Sequence, residues 1–208
     1  MKRGHSGVAF AMAMVVSTVL AGCGGNVPAP KNYTTWNATD GTFSVQYPEG
    51  WTASGGGKHG VQWAEFSKGS AKIRIDVSTQ SSLIGDIAGS IGTAAGINDP
   101  FSGVSEEVAQ EMAPVAAAHG FYQKSFPVDL SGYKEKEPVV YQCGLGDSRK
   151  SEFVARSGFT TRLRGYRATA LTNNKGVHIL CQCTDGNWKT LQPAFDTILE
   201  SMKLGSPP

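Results

Sequence analysis

From Thr42 onward apolar and polar side chains alternate. Phe43, Val45 and Tyr47 share one face while Ser44 and Gln46 take the other, which is the period of a half-buried strand. The run closes at Pro48-Glu49-Gly50-Trp51, where proline's fixed φ and glycine's freedom favour a turn. A glycine cluster over residues 55–60 follows and predicts a hairpin loop. Two more alternating runs come next. Val61, Trp63 and Glu65 stand opposite Gln62, Ala64 and Phe66, and over residues 71–79 Ile73, Ile75 and Val77 stand opposite Lys72, Arg74 and Asp76. Gly69 between them suits a tight antiparallel connection.

Over residues 81–120 the period lengthens. Leu83, Ile84, Ile87 and Ile91, then Val104, Val108, Met112 and Val115, predict two helices joined by Asn98-Asp99-Pro100. The first is intrinsically weak, because Gly85, Gly89, Gly92 and Gly96 each cost about 1 kcal/mol relative to alanine. Ser105, Glu106 and Glu107 suit the start of the second, and Pro114 should kink or split it. Alternation returns over residues 121–128, 139–144, 152–157, 161–172 and 177–184, with Asn173-Asn174-Lys175-Gly176 turning the last pair. Finally Trp188, Leu191, Phe195, Ile198, Leu199 and Met202 form one stripe of a helix starting near Thr190 and stopped by Gly205. With no internal repeat, this order predicts one α+β domain over residues 40–205. Its centre is an antiparallel sheet flanked by helices.

The amino-terminal segment changes the picture. Lys2 and Arg3 precede an apolar run over residues 8–20, followed by the small residues Ala21 and Gly22. That run is too short to span a bilayer and has the layout of a secretory signal. Leu20-Ala21-Gly22-Cys23 resembles the lipobox of bacterial lipoproteins. The resemblance implies cleavage of residues 1–22 and lipidation of Cys23, hence a membrane partner through the acyl chains, each contributing ~0.8 kcal/mol per buried methylene. Gly24 follows the cysteine in place of aspartate, which favours the outer membrane, facing the periplasm, in a cell with two membranes. Residues 23–39 then read as a flexible tether, with Gly24, Gly25, Pro28 and Pro30 in it; a dozen such residues reach roughly 40 Å at ~3.3 Å each. Without the leader the chain holds 19 − 2 = 17 basic against 17 acidic side chains. A balance of zero argues against nucleic acid or anionic lipid as an electrostatic partner.

The strand at Phe43 with its Tyr47-Pro48-Glu49-Gly50-Trp51 turn, the Gly165-Tyr166-Arg167 strand, the strand over residues 177–183 and the helix from Phe195 to Met202 together resemble the PsbP-like superfamily. That group includes photosystem-associated PsbP proteins, the Ran-binding Mog family and LpqN-type bacterial lipoproteins. The resemblance implies an α/β/α sandwich whose members mostly bind other macromolecules and share no catalytic residue set. No site residue is transferable from it.

Candidate chemistry is sparse. Cys143, Cys181 and Cys183 remain after lipidation, and in an oxidising compartment Cys143 pairs with one of the other two; three buried reduced thiols are the alternative. Cys181 and Cys183 share a strand face, poorly aimed at each other for a disulfide. A zinc set of His178, Cys143, Cys181 and Cys183 is opposed by strand parity, since His178 points to the other face. No metal or other cofactor is therefore expected. Glu107, Glu111 and His119 read as an exposed helix face. Gly55-Gly56-Gly57-Lys58-His59-Gly60 fits GxGxxG only formally, because a strand follows it. There is no Walker loop, GxSxG elbow or HExxH motif, and Ser148 has no evident base. The expected protein is thus not an enzyme.

Tyr47, Trp51, Trp63 and Tyr166 read as core. Arg156, Arg162, Arg164, Arg167 and Lys150 form a local basic concentration, with Arg162 and Arg164 on one strand face; a docking patch for an acidic protein partner is its functional reading. The sequence therefore predicts a non-catalytic, membrane-anchored envelope lipoprotein that binds a protein partner or assists complex assembly. A small-ligand or metal-binding module is the alternative.

Overall fold

The computed structural model describes residues 25–58, 60–78, 114–124, 130–158, 160–172 and 175–205, and within them alternation becomes β-structure except over residues 121–124. The strands are β1 (Tyr33–Asn37), β2 (Phe43–Pro48), β3 (Thr52–Lys58), β4 (Val61–Lys68), β5 (Ala71–Ser78), β6 (Ser131–Glu135), β7 (Val139–Cys143), β8 (Gly146–Ser157), β9 (Thr161–Thr172), β10 (Lys175–Thr184) and β11 (Lys203–Leu204). Helix α1 (Pro114–Lys124) precedes β6, and a 3-10 turn (Asp185–Asn187) leads into helix α2 (Trp188–Ser201). The described part is predominantly antiparallel β with two helices.

The large sheet runs β3-β4-β5-β10-β9-β8-β6, with β7 continuing the β6 edge on β8; a small sheet runs β1-β2-β11. Register decides which residues meet. Ile75 faces Ile179, Ile179 faces Ala168, and Cys181 faces Ile73 and Tyr166, so these side chains share one face of the sheet. Phe66, Ile73, Ile75, Ile179, Cys181 and Tyr166 are buried there beneath the α2 stripe Trp188, Leu191, Phe195, Ile198 and Leu199 and the β2 residues Phe43 and Val45. Each fully buried large side chain contributes about 1.5–3 kcal/mol, which makes this layer the main source of cohesion. Tyr166 meets the rings of Trp188 and Phe195 edge-on at 6.1 Å each, the arrangement aromatic quadrupoles favour.

The opposite face is only partly covered among the described residues. α1 lies over β8 and β9, burying Val115 and Ala118. Pro114 opens α1, where a missing N–H costs nothing. The helices expected before it, over residues 81–113, lie outside the described residues. Residues 121–124 end α1 instead of starting the expected strand, and residues 125–129 are outside the description.

Three other expectations are corrected. The glycine cluster is mostly strand: Gly55 and Gly56 pair with Ala64 and Trp63 in β3. A Cβ at Gly55 would stand 2.7 Å from the Trp63 carbonyl and against the Trp36 ring, so the glycines admit two indole rings. Secondly, the folded part begins before residue 40. β1 pairs with β2 throughout, and Val27 is buried with Phe43, Ala71 and Trp188 in the core cluster; of the expected free tether, Val27 and residues 33–37 are docked. Thirdly, Cys143, Cys181 and Cys183 are free thiols. β8 and β9 separate β7 from β10, and three strand spacings of ~4.8 Å put Cys143 far beyond the ~7 Å Cα limit for pairing with Cys181 or Cys183.

Candidate functional site

Two groups of charged side chains stand apart in this fold. The first is sealed under α1. Ser151 on β8, Arg167 and Thr169 on β9, and Glu135 on β6 point to the α1 side of the sheet, where His119 of the helix meets them. Arg167 is wholly buried; its Nε and Nη2 lie 2.9 and 2.7 Å from Glu135 Oε1, and Nη1 donates to the His119 carbonyl at 3.2 Å. Tyr133 donates to Glu135 Oε2 at 2.6 Å, and Ser151 donates to Oε1.

The His119 ring closes the network in one tautomer. With the proton on Nε2 it donates to Ser151 Oγ at 2.7 Å and accepts from Thr169 Oγ1 at Nδ1 across 2.9 Å. The imidazole thus gives a proton to the serine, the reverse of nucleophile activation, and Ser151 spends its own proton on Glu135. Burial lowers the His119 pKa, helped by Arg167 and Arg149 and resisted by Glu135. Burial alone would raise the Glu135 carboxyl, yet His119, Ser151, Tyr133 and Arg167 together hold it well below the usual carboxylate range. His178, on the same face, is pushed down to about 3, first by burial and then by Arg167 and His119. A buried ion pair saturated by hydrogen bonds is a structural lock.

The second group is open. A groove of about 340 Å³ lies between the β6, β8 and β9 ends and the 3-10 turn, lined by Gly132, Lys134, Val154, Ala155, Arg156, Arg162, Leu163 and Asp185. Arg156 stands directly opposite Arg162 in the β8–β9 ladder. Like charges so placed repel. Among the described residues Lys134, Arg156 and Arg162 are exposed and form no ion pair, and Val154 beside them is 47% exposed. Asp185 is the single acid on the wall.

The structure divides the predicted basic group. Arg162 lines the groove, whereas its face-mate Arg164 pairs with Glu152 at 3.3 Å and lies 5.2 Å from the centre of the Trp188 ring. Lys150 binds Asp196 at 2.7 Å beneath the Tyr166 ring, and Arg167 belongs to the lock. Lys134, Val154 and Asp185 were not predicted; the register of β6 on β8 brings in the first.

The remaining candidates resolve simply. Tyr47 stacks on Phe66 at 4.4 Å, Trp51 is buried, and Trp63 carries Arg74 4.3 Å from its ring centre. Ser148 donates to the Tyr141 carbonyl. Burial raises the Cys181 thiol and pushes Cys183 up to about 12, which keeps both protonated and unreactive. Among the described residues no group of three His, Cys, Asp or Glu could hold a metal ion, and no helix is long and apolar enough to cross a membrane. Cys23, His59, Glu107 and Glu111 lie outside the described residues.

No family model matches the chain, and no curated protein matches it. Among solved structures it is similar to cyanobacterial PsbP (CyanoP) from Synechocystis sp. PCC 6803, at 15% identity and TM-score 0.49 over 89% of this chain and 98% of that one. It is also similar to the Ran-binding protein Mog1p of Saccharomyces cerevisiae, at 7% identity and TM-score 0.48 over 83% and 95%. A third is LpqN of Mycobacterium tuberculosis, described as involved in cell envelope biogenesis, at 10% identity and TM-score 0.47 over 84% and 91%.

Proposed function

We propose that the protein is a non-catalytic lipoprotein of the bacterial cell envelope, anchored through acyl chains on Cys23, that binds an acidic segment of a protein partner. The observation that carries the reading is the groove in which Arg156 faces Arg162 with Lys134 beside them, three cations against the single acid Asp185 among the described residues, and none of the three in an ion pair there. A carboxylate laid between the two guanidinium groups turns their repulsion into two charge-assisted hydrogen bonds. The exposed Val154 supplies an apolar contact at the groove's centre. The lipobox resemblance of Leu20-Ala21-Gly22-Cys23 supports the anchor, with the outer membrane as its site in a cell with two membranes.

The test places a photoreactive amino acid at Val154 of the anchored protein in intact cells. A protein adduct is expected, lost when Arg156→Glu and Arg162→Glu are added together. An adduct that survives both charge reversals, or a surface that yields only lipid adducts, contradicts the reading.

A further inference from the structure

Ahead of β1, the segment read as free tether is fastened to the domain at Val27. Val27 is 3% exposed, and its N–H donates to Asn187 Oδ1 at 3.2 Å. Asn187, itself 3% exposed, uses Nδ2 to reach the Gly25 carbonyl and Ser70 Oγ at 3.3 Å each and Thr184 Oγ1 at 2.9 Å. Ser70 and Thr184 bond each other across 3.1 Å. A Cβ at Gly69, whose φ is +57°, would stand 3.1 Å from Val27 Cγ2, so the β4–β5 turn leaves room for the valine. One amide side chain thus joins the amino-terminal strap, the β4–β5 turn and the end of β10.

From this we infer that the strap acts as a clip that seats one defined end of the domain on the lipid surface: the β4–β5 turn, the 3-10 turn and the basic groove beside it. The inference rests on acylation of Cys23. Four residue steps separate Cys23 from Val27, at most about 14 Å of extended chain; without the clip the free segment would run ten steps to Tyr33 at the start of β1, about 35 Å at the same rise. Asp185, two residues before Asn187 in the same 3-10 turn, walls the groove. The clip therefore holds the groove beside the headgroups, and the segment it receives is one presented near the bilayer.

The experiment uses the full acylated chain in vesicles of phosphatidylethanolamine with phosphatidylglycerol, and in vesicles of phosphatidylcholine alone. A fluorescent amino acid replaces Lys68, which is exposed at the β4–β5 turn, and acceptor dyes sit on the lipid headgroups. Strong energy transfer is expected in both vesicle types. It should fall when eight Gly-Ser residues are inserted between Gly24 and Gly25, a change that leaves the clip intact, and fall similarly in Val27→Asp. The Val27 amide should exchange hydrogen at least about tenfold slower than in a free peptide, as buried bonded amides do. Transfer in Val27→Asp equal to that of the unaltered chain, or Val27 exchange at the free-peptide rate, overturns the clip. Transfer seen only with phosphatidylglycerol also overturns it, since headgroup charge then does the holding. An intact mass without acyl groups on Cys23 defeats the lipoprotein reading instead, and the exchange result still judges the clip.

Discussion

The two charged regions differ in one respect that separates fold from function. Under α1, Arg167 and Glu135 are removed from water, and the Tyr133 and Ser151 hydroxyls both donate to the carboxylate. At the groove, Arg156 and Arg162 face each other in solvent and, among the described residues, form no ion pair. In the first region the chain supplies both halves of each interaction. In the second, among the described residues, it sets three cations against the single acid Asp185, and we propose that a partner supplies the rest.

The contrast predicts opposite signs for the same kind of substitution. The largest effect belongs to the lock. Glu135→Gln leaves the Arg167 charge buried without its counter-ion, and breaking such a pair costs about 3–5 kcal/mol. For a domain of this size that lowers the melting temperature by roughly 6–20 °C at ~2–4 °C per kcal/mol, measurable by thermal circular dichroism. A loss below 1 kcal/mol would dissolve the distinction between the regions.

Acid should find the lock next. His119 and His178 are both held below their ordinary value of 6.5, His178 at about 3. As pH falls through 6.5 the unfolded chain takes up protons that the folded chain refuses, so stability is complete above 6.5 and declines below it. Glu135, also depressed, adds to the decline once pH drops below its ordinary 4.5. Denaturant titrations between pH 7.5 and 5 should show a slope that shrinks in His119→Gln and shrinks further when His178→Gln is added.

The smallest effect sharpens the comparison most. Arg156→Glu turns a repulsive cross-strand pair into an attractive one, a gain of about 0.2–1 kcal/mol. Stability should rise slightly while binding of an acidic segment is lost. Arg164→Glu offers the internal contrast: it breaks the Glu152 pair and the contact with Trp188, so it should lower stability by about 0.5–1.5 kcal/mol.

What is legible in the sequence follows the same division between local and distant causes. The strands at Phe43, Ile73 and Ile179 were legible because burial on one face writes itself as alternation. Strand β3 was not, since glycines carry no side-chain period and its reason lies in Trp36 and Trp63. Val27 sits in a polar, proline-rich stretch, and the asparagine that captures it is 160 positions away. Strand parity put Arg162 and Arg164 together; only the register with β8 separates them, by giving one Glu152 and leaving the other near Arg156. The lock escaped notice because Glu135 lies in the Ser-Gly-Tyr-Lys-Glu run, whose apolar content is a single tyrosine.

The most direct measurement is calorimetric titration of the full acylated chain, held in nanodiscs, with an extended glutamate-rich peptide at physiological salt, run beside Arg156→Glu/Arg162→Glu. The expected result is saturable binding by the unaltered protein, weakened by added salt and absent in the double variant, whose melting temperature is unchanged or lower by no more than a degree or two. Equal binding by both proteins, or none by either, would contradict the assignment of the groove as the place where a partner completes what the chain leaves unpaired.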